Sequence, residues 1–215
     1  MRAIRLAAVN TRSALERFLS SEIEWGEVDV RRDPWGRMVV RRESFEQTPW
    51  AKAETLLLLD DCLREFQRNG RSIKLDLKEG AICGQVEELA ARAGFGDARL
   101  WFNAPALVLG EQGFRRLAAS HPRAVIQCPV DFLTPLILSM PGKARDILAA
   151  LSAWGITRFS LSWQGEDVRF AIEQIEAWGW QVNVYDVPNL EAFLQAALLL
   201  PRSLTSNFNF SKWSW

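Results

Sequence analysis

The feature that most constrains this chain is a repeated change of hydrophobic period. Short runs that alternate every second residue give way, from end to end, to longer amphipathic stretches with helical spacing. Strand-like runs fall near residues 4–9, 25–31, 72–77, 100–104, 124–128, 158–162, 181–185 and 203–207. Helical stretches fall near 13–20, 53–69, 86–93, 112–120, 143–154, 168–178 and 190–199. Several of them end on a glycine (Gly70, Gly94, Gly155, Gly179), where the left-handed cap conformation carries no Cβ penalty. Eight strands with seven intervening helices predict an α/β fold of the (βα)₈ TIM-barrel type, as a single domain over residues 1–215 that lacks a full eighth helix. An open doubly wound sheet is the alternative, but no glycine-rich GxGxxG turn follows the first run, and no nucleotide cofactor is expected.

Composition sets the outer limits. At 215 residues and 48% hydrophobic, the chain is long enough for one well-buried core. Its 26 lysines and arginines balance its 26 aspartates and glutamates, so no net basic field exists to hold nucleic acid or an anionic membrane. Cys62, Cys83 and Cys128 are odd in number and lack CxxC spacing, which reads as buried free thiols. No run approaches the roughly 20 apolar residues of a membrane span, and no leader-like segment precedes the first strand, so a cytoplasmic location is expected. A turn at 32–37 followed by Met38-Val39-Val40 predicts a hairpin-like excursion after the second strand, and the connection 129–142 reads as a long loop rich in leucine and proline. Whether its part 132–140 is a lid, a lipid contact or an interface is open at this level.

Barrel strands alternate between the interior and the face that packs on helices. In Ile73-Lys74-Leu75-Asp76-Leu77-Lys78 the apolar set must face the helices, which turns Lys74, Asp76 and Lys78 inward. In the second strand Val28 and Val30 face out, leaving Glu27, Asp29 and Arg31 inside. Ionisable groups in a barrel interior carry a desolvation cost unless they pair or bind an ion. Three converging carboxylates suit a hard divalent cation such as Mg²⁺ or Ca²⁺, and the neighbouring lysines and arginine suit a phosphate. The competing reading is a self-neutralising network of Glu27, Asp29 and Asp76 with Lys74, Lys78 and Arg31.

Trp25-Gly26-Glu27-Val28-Asp29-Val30, with Gly36-Arg37-Met38-Val39-Val40 after it, resembles the Glu-x-Asp strand and hairpin of glycerophosphodiester phosphodiesterases. Residues 73–78 resemble their third strand, Val182-Asn183-Val184-Tyr185-Asp186-Val187 the aromatic-bearing seventh, and Leu204-Thr205-Ser206-Asn207-Phe208 the eighth. Ala8-Val9-Asn10, Lys74 to Lys78 and Trp101-Phe102-Asn103-Ala104 are similar to the menorin-like branch of that superfamily. The resemblance implies a divalent metal on Glu27, Asp29 and Asp76, with Lys78 near a bound phosphate. It also implies two catalytic histidines, and the matching positions here are Ala7 or Asn10, depending on register, and Arg42. The one histidine, His121, lies between a helix and the fifth strand, toward the opposite face. Arginine does not donate a proton usefully but can clamp a phosphate oxygen.

The expected function is therefore a divergent barrel that binds a phosphate-bearing or other anionic small molecule. Histidine-dependent hydrolysis is not expected, and a catalytically silent scaffold is the alternative. Further binding candidates are Ser162, Trp163, Tyr185 and Asn207 at strand ends, with Trp101 and Asn103 sharing one alternation face. Trp25, Trp154 and Trp178 are read as helix–sheet packing. The aromatic tail 210–215 must cover an outer face or meet a second copy, which suggests a homodimer.

Overall fold

The computed structural model of the chain describes residues 4–51 and 55–206, with the side chains of 4–7 and 165–166 outside that description. Eight parallel strands form the barrel: β1 (Ile4–Ala8), β2 (Trp25–Arg32), β5 (Ser72–Leu77), β6 (Leu100–Asn103), β7 (Val125–Pro129), β8 (Arg158–Ser162), β9 (Gln181–Val187) and β10 (Ser203–Ser206). They pair in sequence order, and β1 pairs with both β10 and β2, which closes the ring. β3 (Met38–Val40) returns antiparallel to β2, and β4 (Leu57–Leu58) pairs with β3. The expected hairpin is therefore present, with an added strand beyond it. Residues 207–215 lie outside the described residues, and with them the candidate Asn207 and the aromatic tail.

The helices are α1 (Arg12–Leu19), α2 (Leu59–Arg68), α3 (Cys83–Arg92), α4 (Ala106–Ser120), α5 (Thr134–Ser139), α6 (Pro141–Ser152), α7 (Gly165–Ala177) and α8 (Leu190–Leu198). Two expectations need correction. The second helix begins at Leu59 instead of residue 53, because Leu57 and Leu58 are taken up by the pairing with β3. The stretch 129–142 is mostly helical: a 3₁₀ turn at Asp131–Leu133 leads into α5, and α6 starts at Pro141. Proline at the first positions of α5 and α6 costs no hydrogen bond there, so these prolines mark helix starts and not a loop. α4 extends six residues earlier than its periodicity suggested, across a kink where Gly110 takes φ 66°.

Burial confirms the two-faced reading of the strands. Val28, Val30, Ile73, Leu75, Leu77, Phe102, Ile126, Phe159, Leu161, Val182, Val184 and Leu204 are buried in one continuous core between sheet and helices. The inward residues are largely polar: Lys74, Asp76, Asn103, Gln127, Arg158, Ser160, Asn183, Ser203 and Thr205 are all buried. Only the floor is apolar, where Trp25 and Trp101 meet edge to face at 5.7 Å in a cluster separate from the main core. Trp25 is thus an interior residue and not a helix–sheet contact, because it shares the alternation phase of Glu27 and Asp29. Trp154 and Trp178 do pack among the helices, Trp154 against Phe114 and Trp178 against Trp180. Trp101 carries the Arg158 guanidinium over its ring at 4.4 Å; burial and the nearby Arg202 lower the Arg158 pKa to about 10.

The cysteines are buried free thiols, as expected. Among the described residues no helix is long and apolar enough to cross a membrane.

Gly26 lets α1 and α2 approach the barrel, since a Cβ there would stand 2.6 Å from the Phe66 ring. Phe66 stacks on Phe18 over this gap and is fully buried. Phe66→Ala should cost about 3–5 kcal/mol, because the cavity cannot be refilled by a residue without a side chain; the midpoint of urea unfolding measures it.

Candidate functional site

The C-terminal ends of the parallel strands form the mouth of the barrel, where βα loops assemble sites in this architecture. Here the inward phase of β2 and β5 brings Glu27, Asp29 and Asp76 together, each offering a carboxylate oxygen within 4.8 Å of the others. Register explains the meeting: Glu27 pairs with Lys74 and Asp29 with Asp76 across the two strands. Lys74 Nζ lies 2.9 Å from Glu27 Oε2. Lys78 Nζ bridges the two aspartates, at 2.8 Å from Asp29 Oδ1 and 2.6 Å from Asp76 Oδ2. Arg31 stands apart from this network. Its guanidinium reaches Glu79 at 3.7 Å and donates from Nε to the Arg42 carbonyl at 3.0 Å, because its strand position already lies at the rim.

Amide side chains hold the aspartates in place. Asn10 grips Asp29 twice, donating from Nδ2 to the carboxylate and accepting the Asp29 backbone N–H at 2.9 Å. Asn103 Nδ2 donates to Asp76 Oδ1 at 2.8 Å, and its own oxygen accepts from Gln127 Nε2 at 2.7 Å. This relay runs from β5 through β6 to β7 and fixes the orientation of the Asn103 amide. Gln127 went unnoticed in the sequence, although it has the same inward phase as its neighbours.

The electrostatics of the two aspartates differ. Burial pushes the Asp29 carboxyl up from its ordinary 3.8 to about 6; Lys78 opposes this, while the charges of Asp76 and Glu27 add to it. At Asp76 burial acts in the same upward sense, but Lys78, Lys74 and the Asn103 hydrogen bond outweigh it and the pKa falls below its ordinary value. Lys78 is held protonated by both carboxylates.

A second polar group occupies the other side of the mouth, at the ends of β7, β8 and β9. Tyr185 Oη donates to Asp131 Oδ2 at 2.7 Å, and the Ser162 backbone N–H donates to Asp131 Oδ1 at 2.6 Å. Ser162 Oγ lies 3.5 Å from Asp186 Oδ2 and accepts from Gln164 Nε2 at 3.1 Å. Asp186 adopts φ 53°, a left-handed conformation that costs a non-glycine residue energy and often marks a functional segment. Arg42 reaches over from the hairpin to within 3.9 Å of Asp186 Oδ1.

Asn10, Asp29, Lys78, Asp76 and Asn103 are therefore one hydrogen-bonded assembly with the Glu27–Lys74 pair beside it, and Ser162, Tyr185 and Arg42 belong to the facing group. Trp163 does not line the mouth: it packs against the helix-side core, having the opposite phase to Ser162. Trp101 lies in the floor, two positions below Asn103. Asp131 and Asp186 were missed. Asp131 had one available signal, an acidic residue two positions after the end of a strand and hence on the mouth face. His121 bonds Asp97 through Nδ1 at 2.9 Å, before the starts of β6 and β7 and so at the opposite end of the barrel.

Three hard oxygen donors on adjacent strands fit a divalent cation, with the condition that Lys78 gives up part of its hold on Asp29 and Asp76.

Neither protein-family models nor curated proteins give a match to the sequence. Solved structures do. A protein described as a glycerophosphoryl diester phosphodiesterase from Agrobacterium tumefaciens superposes with TM-score 0.72 at 12% identity, covering 96% of this chain and 94% of its own. A phosphodiesterase from Oleispira antarctica, in complex with its product sn-glycerol-3-phosphate, gives TM-score 0.72 at 14% identity over 94% and 92% of the two chains. Tryptophan synthase from M. tuberculosis gives 0.63 at 12% identity over 96% and 82%. The TIM-barrel fold shared with glycerophosphodiester phosphodiesterases is established by these superpositions, and at such identities the likeness extends to the fold alone.

The raised Asp29 pKa has a definite sign in stability. Between its ordinary value of 3.8 and about 6 the folded chain holds a proton that the unfolded chain releases, so this residue's contribution falls as pH rises through that window. The difference in unfolding midpoint between Asp29→Asn and the parent should therefore shift in favour of the variant from pH 4 to pH 7. A constant difference across that range would show that Asp29 ionises normally.

Proposed function

We propose that this barrel binds a phosphate-bearing small molecule at its mouth, with a divalent cation held by Glu27, Asp29 and Asp76. The observation that carries the reading is the convergence of three carboxylates within 4.8 Å of one another, with Lys78 between two of them. A carboxylate cluster supported by Asn10, Asn103 and Gln127 is more elaborate than strand packing requires. The product complex of the Oleispira antarctica phosphodiesterase, on the same fold, makes a phosphomonoester or phosphodiester the natural ligand class.

Each residue then has a stated role. The cation would supply charge neutralisation and Lewis acidity at the phosphate. Lys78, released in part from the aspartates, donates to a phosphate oxygen, and Arg42 approaches from the hairpin with a planar donor pair suited to the same group. Asn10 and Asn103 keep Asp29 and Asp76 aimed. Tyr185, Ser162 and Asp131 present hydroxyl and carboxylate groups to the part of the ligand beyond its phosphate. Proton transfer by histidine is absent from this scheme: Ala7 or Asn10, depending on register, and Arg42 stand where the resemblance places histidines.

A specific observation favours a second reading, a silent binding or scaffold barrel. Lys74 already neutralises Glu27, and Lys78 already serves both aspartates, so the network is satisfied without a cation.

Calorimetric titration of chelator-treated protein with Mg²⁺, Ca²⁺ and Mn²⁺ separates the two. On the first reading at least one cation binds, Asp29→Ala and Asp76→Ala each abolish binding, and sn-glycerol-3-phosphate binds more tightly when the cation is present. On the second, no cation binds to the parent protein.

A further inference from the structure

The two lysines that serve the carboxylates of the mouth are held very differently. Lys74 is sealed: its side chain is 2% exposed, its Nζ lies 2.9 Å from Glu27 Oε2, and the centre of the Trp101 ring is 5.2 Å away. Lys78 follows the last residue of β5, nearer the opening, and its side chain is 24% exposed. Its backbone is pinned, since its N–H donates to the Val30 carbonyl at 3.2 Å, but its four-carbon stem keeps its own rotations. The ammonium at the end of that stem touches both aspartates, at 2.8 Å from Asp29 Oδ1 and 2.6 Å from Asp76 Oδ2. It therefore stands between two of the three carboxylates that a divalent cation would use.

A second cation cannot take up those oxygens while the ammonium remains, because like charges a few ångströms apart repel strongly in a buried site. Asp29 and Asp76 do not depend on the lysine for their position, however. Asn10 keeps its grip on Asp29, and Asn103 its bond to Asp76, if Lys78 swings away. We propose that Lys78 is a built-in occupant of the cation position, which a divalent cation displaces, and that its freed ammonium then serves the phosphate. The inference rests on the cation-and-phosphate reading above and adds the regulation of that site: one side chain couples the two ligands.

Three consequences follow from the tether. An ammonium anchored to the same strand competes at high effective concentration, so the site is open in only a fraction of molecules and the measured cation affinity is reduced by that fraction. Na⁺ or K⁺ brings no more charge than the ammonium it would replace, whereas a divalent ion brings twice as much, so exchange favours divalent ions. The coupling is reciprocal: the factor by which the cation raises phosphate affinity is the factor by which phosphate raises cation affinity.

The test is calorimetric titration of chelator-treated protein with Mg²⁺ and Mn²⁺, comparing the parent with Lys78→Met and Lys78→Gln. The glutamine variant keeps a neutral donor for the aspartates, and the thermal midpoint of each variant checks that it is folded. Both should bind a divalent cation about tenfold more tightly than the parent, and with the cation present should bind sn-glycerol-3-phosphate about tenfold more weakly. Arg31→Met removes a nearby charge that is turned toward Glu79, and should change cation affinity by only about twofold. In the parent itself, trace acetylation read by peptide mass spectrometry should show Lys78 labelling faster when Mg²⁺ is added, with the exposed Lys143 as internal reference. Binding seen only in the Lys78 variants supports the proposal, with the lysine then holding the parent site shut. Cation affinity that is equal or weaker in both Lys78 variants overturns it and leaves the carboxylate site standing. So does Lys78 labelling that stays flat at a cation concentration that saturates the parent. Absence of cation binding in parent and variants alike overturns both this proposal and the reading on which it rests.

Discussion

The apolar layer between the eight strands and the helices fixes everything else in this molecule. Once Val28, Val30, Ile73, Leu75 and Leu77 must face α1, α2 and α3, the strands have no freedom to slip, because a shift of one residue would turn every one of them into the polar interior. Glu27, Asp29, Lys74 and Asp76 are inside because their neighbours cannot be. The charged interior is therefore imposed by the hydrophobic effect acting on the other face, and its desolvation cost is carried by that much larger layer.

Within the interior the costs are met in two ways. The floor pairs two tryptophans and lays the Arg158 guanidinium on Trp101, with Gln181 and Ser203 accepting its protons. The mouth pairs charges: two lysines serve three carboxylates, and the imbalance is concentrated on Asp29. A structure built only for stability would gain from replacing such a network with apolar side chains of similar volume. That the charge is kept at the open end of the barrel, with its aspartates braced by Asn10, Asn103 and Gln127, is the physical ground for regarding this end as functional.

The same barrel supports chemistries as different as phosphodiester cleavage and tryptophan synthesis among the proteins it superposes on, so the backbone says little about ligand choice. The mouth of this chain carries an amide that grips Asp29, an arginine near Asp186, a tyrosine anchored on Asp131 and a left-handed Asp186. These features come from separate connections and meet only because parallel strands all deliver their loops to one end.

The local period of hydrophobicity was enough to count the strands, to give 72–77 and 158–162 their observed limits, and to turn Lys74, Asp76, Asn103 and Ser162 inward. That information is local, since a pleated strand alternates whatever it pairs with. Depth along the barrel axis is not local. Trp25 and Trp101 shared the inward phase of the site residues, but only the stagger of neighbouring strands put them in the floor, and the contacts of Asp131 with Tyr185 and Ser162 span three strands. The helical character of 131–139 was hidden because leucine and proline read as loop until the surrounding helices supply a face to pack on. Sequence thus determined which side chains point inward; ring closure and strand stagger decided which of them meet, because those depend on pairing between residues far apart in the chain.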